Sequence, residues 1–436
     1  MQTLTWNSYL IAILVFVGVS TVFACVRLHL AIRQMQMRPH KDTPWKLDEQ
    51  RYMKAQRKKR RERSRKLWST GVSGVSTIVF ILAGGFSWLD GFVTSLPLGR
   101  IVEGALFFMG AVFIPRLGAF PFFIAEHIAK QNNRSEKEKK KDAERGLLAT
   151  LLINAIVLAA VVGGLSLFVL GWEKVGPGIW VLWWALGSGI LFLVQGGAGP
   201  LLASIAKPER ITEGPLFDAI QVYAQSQDID MERVFVAESL GKKEEGKANP
   251  TIAAFAGIGD FRRIVLLQSA IQTYTVPELV SIVAHETGHY MNRHMLRSWA
   301  VTSTILGLNM FVLSHFMHNP SLHAAVGIEH LGAGVSIALF SYLYAPVKLF
   351  LGLVRTALSR QHEKQADTFA VETYGHPADF ASALQKIGEE YLVDPRPHWL
   401  HVLVMDEHPP LAKRIERVLT VGYGEGESVG AAQEAG

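Results

Sequence analysis

The sequence predicts a mainly α-helical membrane protein with about seven transmembrane helices and a smaller cytoplasmic α+β domain. Two observations lead to this fold class. The 436 residues are 49% hydrophobic with a positive mean hydropathy. Apolar stretches also recur at the length of about 20 residues that crosses roughly 30 Å of hydrocarbon. The predicted spans are Tyr9–Leu28, Ser69–Leu89, Ile101–Ile124, Leu147–Leu170, Gly178–Val194, Ser298–Met317 and Gly332–Leu353.

The third predicted span is the least regular, because Pro115, Arg116 and Pro121 fall inside it. A proline is tolerated in a membrane helix when neighbouring helices satisfy the backbone groups that it frees. A charged residue at that depth usually faces protein or a wet cavity instead of lipid. A re-entrant segment therefore stays open as an alternative to a complete crossing.

Two basic stretches orient the chain. Arg51 to Lys66 lies between the first and second spans, and Lys130 to Arg145 follows the third. Loops rich in Lys and Arg stay in the cytoplasm, so we expect an outside N-terminus and a cytoplasmic C-terminus. A bacterial inner membrane is the expected location. A nucleic-acid patch is the alternative for the first stretch, but the flanking spans favour a topology signal, and no nucleic-acid partner is expected.

The polar stretch after the fifth span reads as a small α+β region. A helix is predicted over 214–227, and strands are predicted at Val234–Ala237 and Arg263–Leu267 because β-branched residues concentrate there. The second strand could be a sheet edge that binds an extended peptide through main-chain hydrogen bonds. An ordinary structural strand is the alternative. Next, Thr275 and Glu278 have capping-box spacing, which predicts the start of a helix.

The motif His285-Glu286-Thr287-Gly288-His289 on that helix has the spacing of a zinc-binding motif. Positions i and i+4 share one helix face, so His285 and His289 can bind one zinc ion. Glu286 lies about 100° around the helix, where its carboxylate can take a proton from a zinc-bound water. The alternative is a chance match of a short motif.

A third metal ligand is predicted far downstream at Glu363. Glu363 and Asp367 are again i and i+4, so a second helix could present Glu363 to the metal, while Asp367 accepts a hydrogen bond from a ligand imidazole. Taken alone, this segment could be a solvated charged helix face. Two histidines with a distant glutamate form a known catalytic zinc shell, and together the two segments predict a hydrolase site with one zinc ion.

The chain resembles the zinc metallopeptidases that include the type I CAAX prenyl endopeptidases and the bacterial HtpX proteases, and it is most similar to the CAAX branch. The resemblance covers roughly Pro115 to Val418. The segments that carry it include Asn249 with Ala253 to Gly257, the zinc motif with His294 five residues on, Glu363-x-x-x-Asp367, and His408-Pro409-Pro410-Leu411 followed by Arg414.

The resemblance implies a zincin-like (gluzincin) catalytic domain at the cytoplasmic mouth of a seven-helix intramembrane chamber. By residue, it implies His285, His289 and Glu363 as zinc ligands, Glu286 as the general base, and Asp367 beside the ligands. It also implies that Asn249 and His408 lie near the substrate carbonyl, with His408 stabilising the oxyanion, and that Arg414 holds the acidic residues.

The predicted organisation has four segments: 1–200 with five spans, 201–298 with the zinc helix, 299–355 with two further spans, and 356–436 with the third ligand. The predicted function is a zinc metalloendopeptidase in the bilayer that cleaves peptide or membrane-protein substrates at the cytoplasmic face, as CAAX endopeptidases do. One alternative is HtpX-like quality control of membrane proteins. Another is a non-catalytic seven-span scaffold or channel, but a structural zinc site would need a fourth protein ligand.

Overall fold

The computed structural model describes residues 4–35, 43–132, 164, 167, 170–172, 174–205, 209–229, 234–237, 253–256, 263–317, 319–329 and 332–424. These residues are mainly helical, as predicted. The helices of the N-terminal half are α1 (Ser8–Gln34), α2 (Glu49–Leu82), α3 (Gly85–Thr94), α4 (Arg100–Phe113), a 3₁₀ helix (Ile114–Ala119), α5 (Phe120–Asn132) and α6 (Ile179–Ile205).

Strands and shorter helices dominate the next part of the chain. In order, these are β1 (Glu209–Ile211), α7 (Pro215–Ser226), β2 (Val234–Ala237), β3 (Ala253–Ala256), β4 (Arg263–Leu267), α8 (Gln268–Thr273) and α9 (Val276–Met291). The remaining helices are α10 (His294–Phe316), α11 (Pro320–Ala324), α12 (Ala333–Leu343), α13 (Ala345–Tyr374), α14 (Pro377–Glu390), α15 (Trp399–Met405) and α16 (Leu411–Tyr423).

Among the described residues, three helical segments are long and apolar enough to cross a membrane: Ser8–Gln34, Val102–Glu126 and His294–Phe316. Two bent pairs, α2 with α3 and α12 with α13, also pass as spans, and Ile179–Gln195 is a shorter apolar helix. The predicted span Leu147–Leu170 lies almost entirely outside the described residues. Each of the other predicted spans coincides with one of these helices, and the count of about seven stays a prediction.

The two bent pairs differ from the straight spans that hydropathy predicted. α2 and α3 meet at 70°, and Gly84 between them has φ 73°, a left-handed conformation that ends a helix. α12 and α13 meet at 58°. Hydropathy averages over a window, so it registers the apolar length of Ser69–Leu89 or Gly332–Leu353 and not the break inside it.

The third predicted span consists of α4, the 3₁₀ helix and α5. Pro115 lies in the first turn of the 3₁₀ helix, and the Ala111 carbonyl oxygen, four residues earlier, accepts the Tyr342 hydroxyl in place of the N–H that proline lacks. The Arg116 guanidinium donates to the carbonyl oxygen of Val112 one turn earlier. The chain therefore accommodates both irregular residues with a local change of helix type.

Contacts divide the described residues into two compact units. The first unit comprises Met1–Ile32, Arg61–Leu186 and Ile305–Leu351, and the second unit comprises Arg33–Arg60, Gly187–Thr304 and Gly352–Gly436. In the first unit, α4 crosses α12 with Gly104 against Gly334, and a Cβ on Gly334 would collide with the Gly104 backbone. The Tyr342 hydroxyl donates to the Ala111 carbonyl oxygen at 2.7 Å across the same pair of helices.

The second unit contains a four-stranded sheet with the order β1-β2-β4-β3. β2 and β4 are parallel, with Val234 opposite Ile264, whereas β1 and β3 are antiparallel to their neighbours. The prediction that β4 is a sheet edge is therefore wrong, because β4 lies between β2 and β3. Its continuous apolar run, with Ile264 and Leu266 completely buried, is typical of a strand covered on both faces. Among the described strands, β1 and β3 lie at the two edges of the sheet.

Helices cover this sheet and build the main core of the second unit. α9 packs against α7 and α14, and α14 packs against α16. Trp45, from the segment before α2, is buried in the same core and lies over Gly388 of α14, where a Cβ would meet its ring. These contacts hold α9 firmly, so the side chains that it carries are presented from a rigid support.

Candidate metal centre

α9 begins with the capping box that the sequence predicted. The Thr275 hydroxyl accepts the Glu278 backbone N–H at 3.4 Å, and Glu278 Oε2 accepts the Thr275 N–H at 2.7 Å. The hydroxyl of Ser382 and the ammonium of Lys386, both on α14, also donate to the Glu278 carboxylate at 2.6 and 2.7 Å. Glu278 therefore both starts the helix and ties it to its neighbour.

The three side chains predicted as metal ligands lie together, although α9 and α13 are far apart in sequence. His285 Nε2 is 3.2 Å from His289 Nε2, which follows from the one-turn spacing. The Glu363 oxygens lie 3.6 Å from His285 Nε2 and 3.3 Å from His289 Nε2. Within the described part of the chain, this trio is the one group of His, Cys, Asp and Glu with metal-site spacing.

These separations fit a zinc ion. Ligand atoms about 2.0–2.2 Å from a tetrahedral zinc lie roughly 3.3–3.5 Å from one another, close to the observed 3.2, 3.3 and 3.6 Å. Glu363 Oε2 is buried and accepts no hydrogen bond from the residues that the structure describes, although Arg414 Nη1 lies 3.5 Å away at ion-pair distance. A cation among the three side chains would satisfy that oxygen.

Gly288 allows α9 and α13 to approach closely enough for this arrangement. A Cβ at Gly288 would lie 3.0 Å from the Ala366 Cα, 3.1 Å from the Ala366 carbonyl oxygen and 3.1 Å from the Phe369 Cβ. Two of these atoms belong to the helix backbone and cannot move aside independently. The glycine of the motif therefore has a steric role, because it sets the distance between the two helices that carry the candidate ligands.

Asp367 and Arg414 form a buried ion pair behind His285. Asp367 Oδ1 is 2.9 Å from His285 Nδ1, although the ring N–H is not well aligned with it. Arg414 donates from Nε and Nη2 to the two Asp367 oxygens at 3.0 and 2.7 Å. Burial alone would raise the pKa of Asp367, but Arg414 and His285 outweigh it and hold that pKa below its usual range.

Electrostatics also keep Glu363 ionised. Burial opposes the charge, but the hydrogen bond from His289 and the positive charge of Arg414 prevail, so the pKa of Glu363 lies far below its usual range. A permanently charged carboxylate is what a divalent cation requires as a ligand, because metal ligands must be deprotonated.

Glu286 lies beside the three candidate ligands on the wall of a cavity of about 300 Å³, which His289, Tyr290, Ser359 and Glu363 also line. Burial raises the pKa of Glu286, even though the neighbouring imidazoles oppose the shift. A carboxylate with a raised pKa is a stronger base than one in water. The side chain therefore has the position and the basicity to accept a proton from a molecule in this cavity.

His408 lies on the other side of Glu363. Its Nε2 is 3.3 Å from Glu363 Oε1, and burial lowers the pKa of His408 to about 4. The ring is therefore neutral near pH 7 and has an N–H to donate. Asn249, the other residue predicted near the substrate, lies outside the described residues.

Sequence reasoning missed a second histidine pair beside His289. His294 Nδ1 is 2.9 Å from His289 Nδ1, and His294 Nε2 is 2.9 Å from Gln365 Oε1. The His294 ring stacks on His362 with 4.1 Å between centroids. His294 stands five residues after His289, and His362 directly precedes Glu363, but neither spacing indicates a contact by itself.

Two family models match the chain. A model of peptidase family M48 matches residues 223–421, and a model described as the CAAX prenyl protease N-terminal region with five membrane helices matches residues 29–196. The first match contains every candidate site residue described above, and the second contains the basic loops and most of the predicted N-terminal spans.

Curated relatives and a solved structure agree with these matches. The CAAX prenyl protease 1 homolog of Mus musculus is 25% identical over 80% of this chain and 82% of the relative. The Homo sapiens homolog is 24% identical over 81% of this chain and 83% of the relative. The crystal structure of S. mikatae Ste24p has the same fold, with a TM-score of 0.74 and 18% identity over 95% of this chain and 100% of that chain.

Proposed function

The chain belongs to peptidase family M48 and is a membrane metalloprotease, and we propose that it cleaves peptides with one zinc ion held by His285, His289 and Glu363. The observation that supports the zinc assignment is the spacing of these three side chains, which matches that of metal ligands. In addition, the buried Glu363 Oε2 has no hydrogen-bond donor among the described residues. The alternative of a non-catalytic scaffold or channel has less in its favour, because the described residues offer three ligands and a closed structural zinc site has four.

Bound zinc would supply Lewis acidity, which makes an attacking water more acidic and polarises the scissile carbonyl group. The chain's own residues do the rest. Glu286 takes the proton of the attacking water and passes it to the leaving amine, a task that its raised pKa favours. The cavity of about 300 Å³ that Glu286 lines has room for the peptide bond next to this carboxylate.

The surrounding residues keep this arrangement in place. Asp367 and Arg414 hold the ring of His285 from behind, so the imidazole keeps the proton on Nδ1 and turns Nε2 to the metal. His408, neutral and adjacent to Glu363, donates its N–H to the oxygen that becomes negative during attack. Asn249 is assigned to substrate binding from the family resemblance.

We assign the substrate class from the relatives that are CAAX prenyl proteases. The chain would cleave peptides or membrane proteins that end in a CAAX sequence and carry a prenyl group. The HtpX-like alternative has no specific observation in its favour. The proposed function does not involve nucleic acid.

Membrane placement of the site is also part of the proposal. With the basic loops in the cytoplasm, the zinc site and the C-terminus lie at the cytoplasmic face and the N-terminus lies outside. The bacterial inner membrane predicted from the sequence stays a prediction, since the relatives compared above are eukaryotic.

The central test replaces Glu286 with glutamine in the full-length protein in detergent or liposomes. Glu286→Gln keeps the shape of the side chain but removes its basicity, so peptide cleavage should fall about 100- to 10,000-fold while zinc stays near one per chain. Elemental analysis and a quenched-fluorescence peptide assay measure the two quantities. Glu416→Gln, an exposed site on α16, is the matched control and should cleave at the wild-type rate. Cleavage at the wild-type rate by the Glu286→Gln variant would show that Glu286 is not the general base.

Metal binding is tested at Glu363. Glu363→Ala should lose zinc on dialysis, because two imidazoles alone bind it weakly, and full retention of zinc would exclude Glu363 as a ligand. Substrate class is tested separately by comparing a farnesylated CAAX peptide with its unmodified counterpart. Equal cleavage of both peptides would count against a prenyl requirement and leave the protease assignment intact.

A further inference from the structure

The two histidines of the zinc motif have different partners behind them. His285 Nδ1 faces the carboxylate of Asp367, which is the kind of group that commonly orients a metal-bound imidazole. His289 Nδ1 faces another imidazole nitrogen, His294 Nδ1, at 2.9 Å. The proposed function assigns a role to Asp367 but none to His294.

Metal binding permits only one arrangement of protons in this second pair. The Nε2 atom of His289 points at Glu363 and His285, so it must be bare to bind zinc, and the ring proton sits on Nδ1. Two imidazole nitrogens at hydrogen-bond distance need one donor and one acceptor. His294 Nδ1 must therefore accept, which places the His294 proton on Nε2.

The far side of His294 agrees with that assignment. His294 Nε2 lies 2.9 Å from Gln365 Oε1, an oxygen that can only accept. Arg297 Nη1 lies 3.4 Å from the same oxygen, which fixes the amide with its oxygen towards the donors. The direction of donation is then the same at each step, from His289 to His294 to Gln365.

Backbone and packing hold His294 in this position. α9 ends at Met291 and is capped by Asn292, whose side-chain amide donates to the Gly288 carbonyl oxygen at 2.9 Å. Arg293 follows with φ 53°, a left-handed conformation that is uncommon for a residue with a side chain and that turns the chain back towards α9. The ring of His362 stacks on His294 with 11° between planes. His294 is therefore buried and restrained on both sides.

We propose that His294 is a positioning residue for the metal site, whose Nδ1 accepts the Nδ1–H of His289 and whose Nε2–H donates to Gln365. The inference depends on the proposed zinc function and deepens it. One imidazole ligand is oriented by a charged pair, Asp367 with Arg414, and the other by a neutral relay. The site thereby orients both ligands without burying a second orienting carboxylate next to Glu363, where it would repel the charge already present.

The test measures zinc affinity in the Glu286→Gln background, so that turnover does not interfere. His294→Phe keeps a flat ring on His362 but has no acceptor, whereas the side-chain oxygen of His294→Asn can replace Nδ1. Loss of an outer partner of a metal ligand typically weakens binding about 10–100-fold. We therefore expect a 10–100-fold larger zinc dissociation constant for the Phe variant and a change below about threefold for the Asn variant.

Competition with a chromophoric chelator gives the constants, and the visible spectrum of the cobalt-substituted protein reports ligand geometry. The spectrum should change in His294→Phe and be restored in His294→Asn. His376→Phe, at an exposed histidine of the same unit, is the control and should bind zinc as the parent does. If the Phe variant does not fold, Gln365→Met carries the test, with an expected loss of about 3–10-fold from removal of the last acceptor.

Equal zinc affinity in His294→Phe and in the Glu286→Gln parent would overturn the proposed relay. Equal losses of zinc affinity in His294→Phe and His294→Asn would also overturn it, because the packing of the ring alone would then explain the effect. Unchanged affinity in a folded Gln365→Met would also contradict it. If the parent itself binds no zinc, the proposed function fails instead, so the two failures are distinguishable.

Discussion

Replacing Arg414 with alanine should destabilise the second unit far more than the same replacement at Arg417. Both residues lie on α16, one turn apart. Arg414 is buried and makes two hydrogen bonds to Asp367, at 3.0 and 2.7 Å. Arg417 is exposed and makes one to the hydroxyl of Thr368, at 3.1 Å. The pair compares a buried guanidinium with a surface one on the same helix.

The expected magnitude follows from what Arg414→Ala leaves behind. The carboxylates of Asp367 and Glu363 stay buried, and both lose a cation that helps to lower their pKa values. Removing one partner of a buried ion pair costs about 3–5 kcal/mol, whereas most surface changes cost less than about 0.5 kcal/mol. At about 2–4 °C per kcal/mol for a unit of roughly 200 residues, the melting temperature should fall by about 6–20 °C.

The assay is thermal unfolding of the metal-free protein in detergent, followed by scanning fluorimetry at pH 8 and pH 5.5. Without Arg414, the effect of burial is less fully opposed, so the pKa values of the folded Asp367 and Glu363 carboxyl groups rise relative to those of the wild-type protein. The destabilisation is then full at pH 8 and shrinks as the pH falls and these groups bind protons. A melting temperature for Arg414→Ala within 2 °C of Arg417→Ala at pH 8 would refute the reasoning.

Two further predictions concern helix crossings. Gly288→Val should push α9 away from the backbone of α13, which should lower the free energy of unfolding by about 1–3 kcal/mol. Zinc affinity, measured by chelator competition, should fall at least tenfold, whereas Gly189→Val, with open space around it, should keep wild-type affinity. Gly334→Leu should separate α12 from α4 and lower the melting temperature in detergent by several degrees, whereas Gly91→Leu, also in open space, should not; equal melting temperatures would contradict the close crossing.

Local features of the sequence predicted local features of the structure well. The Thr275–Glu278 capping box and the i, i+4 spacing of His285 and His289 are set by helix geometry within a few residues. The predicted strands Val234–Ala237 and Arg263–Leu267 are present with the predicted bounds, because β-branched residues concentrate there. In each case the physical cause lies inside the segment itself.

Features that depend on distant contacts were not predictable in the same way. The edge position of a strand depends on which other strands pair with it, and β3, with three alanines and one phenylalanine, has no β-branched residue to indicate a strand. The bend between α12 and α13 leaves hydropathy unchanged. The contact between His294 and His289 depends on the left-handed Arg293, a conformation that residue type does not announce.

The candidate metal centre also constrains the membrane topology. His289 and Glu363 lie 3.3 Å apart, so the chain between them must return to the side from which it left and cross the membrane an even number of times. Among the described residues of that interval there are two span candidates, α10 and the bent pair of α12 and α13. A straight hydropathy count that merged or missed one of them would put the two residues on opposite faces. The geometry of the site therefore requires an even number of crossings between His289 and Glu363, and two span candidates meet that requirement without any reference to loop charge.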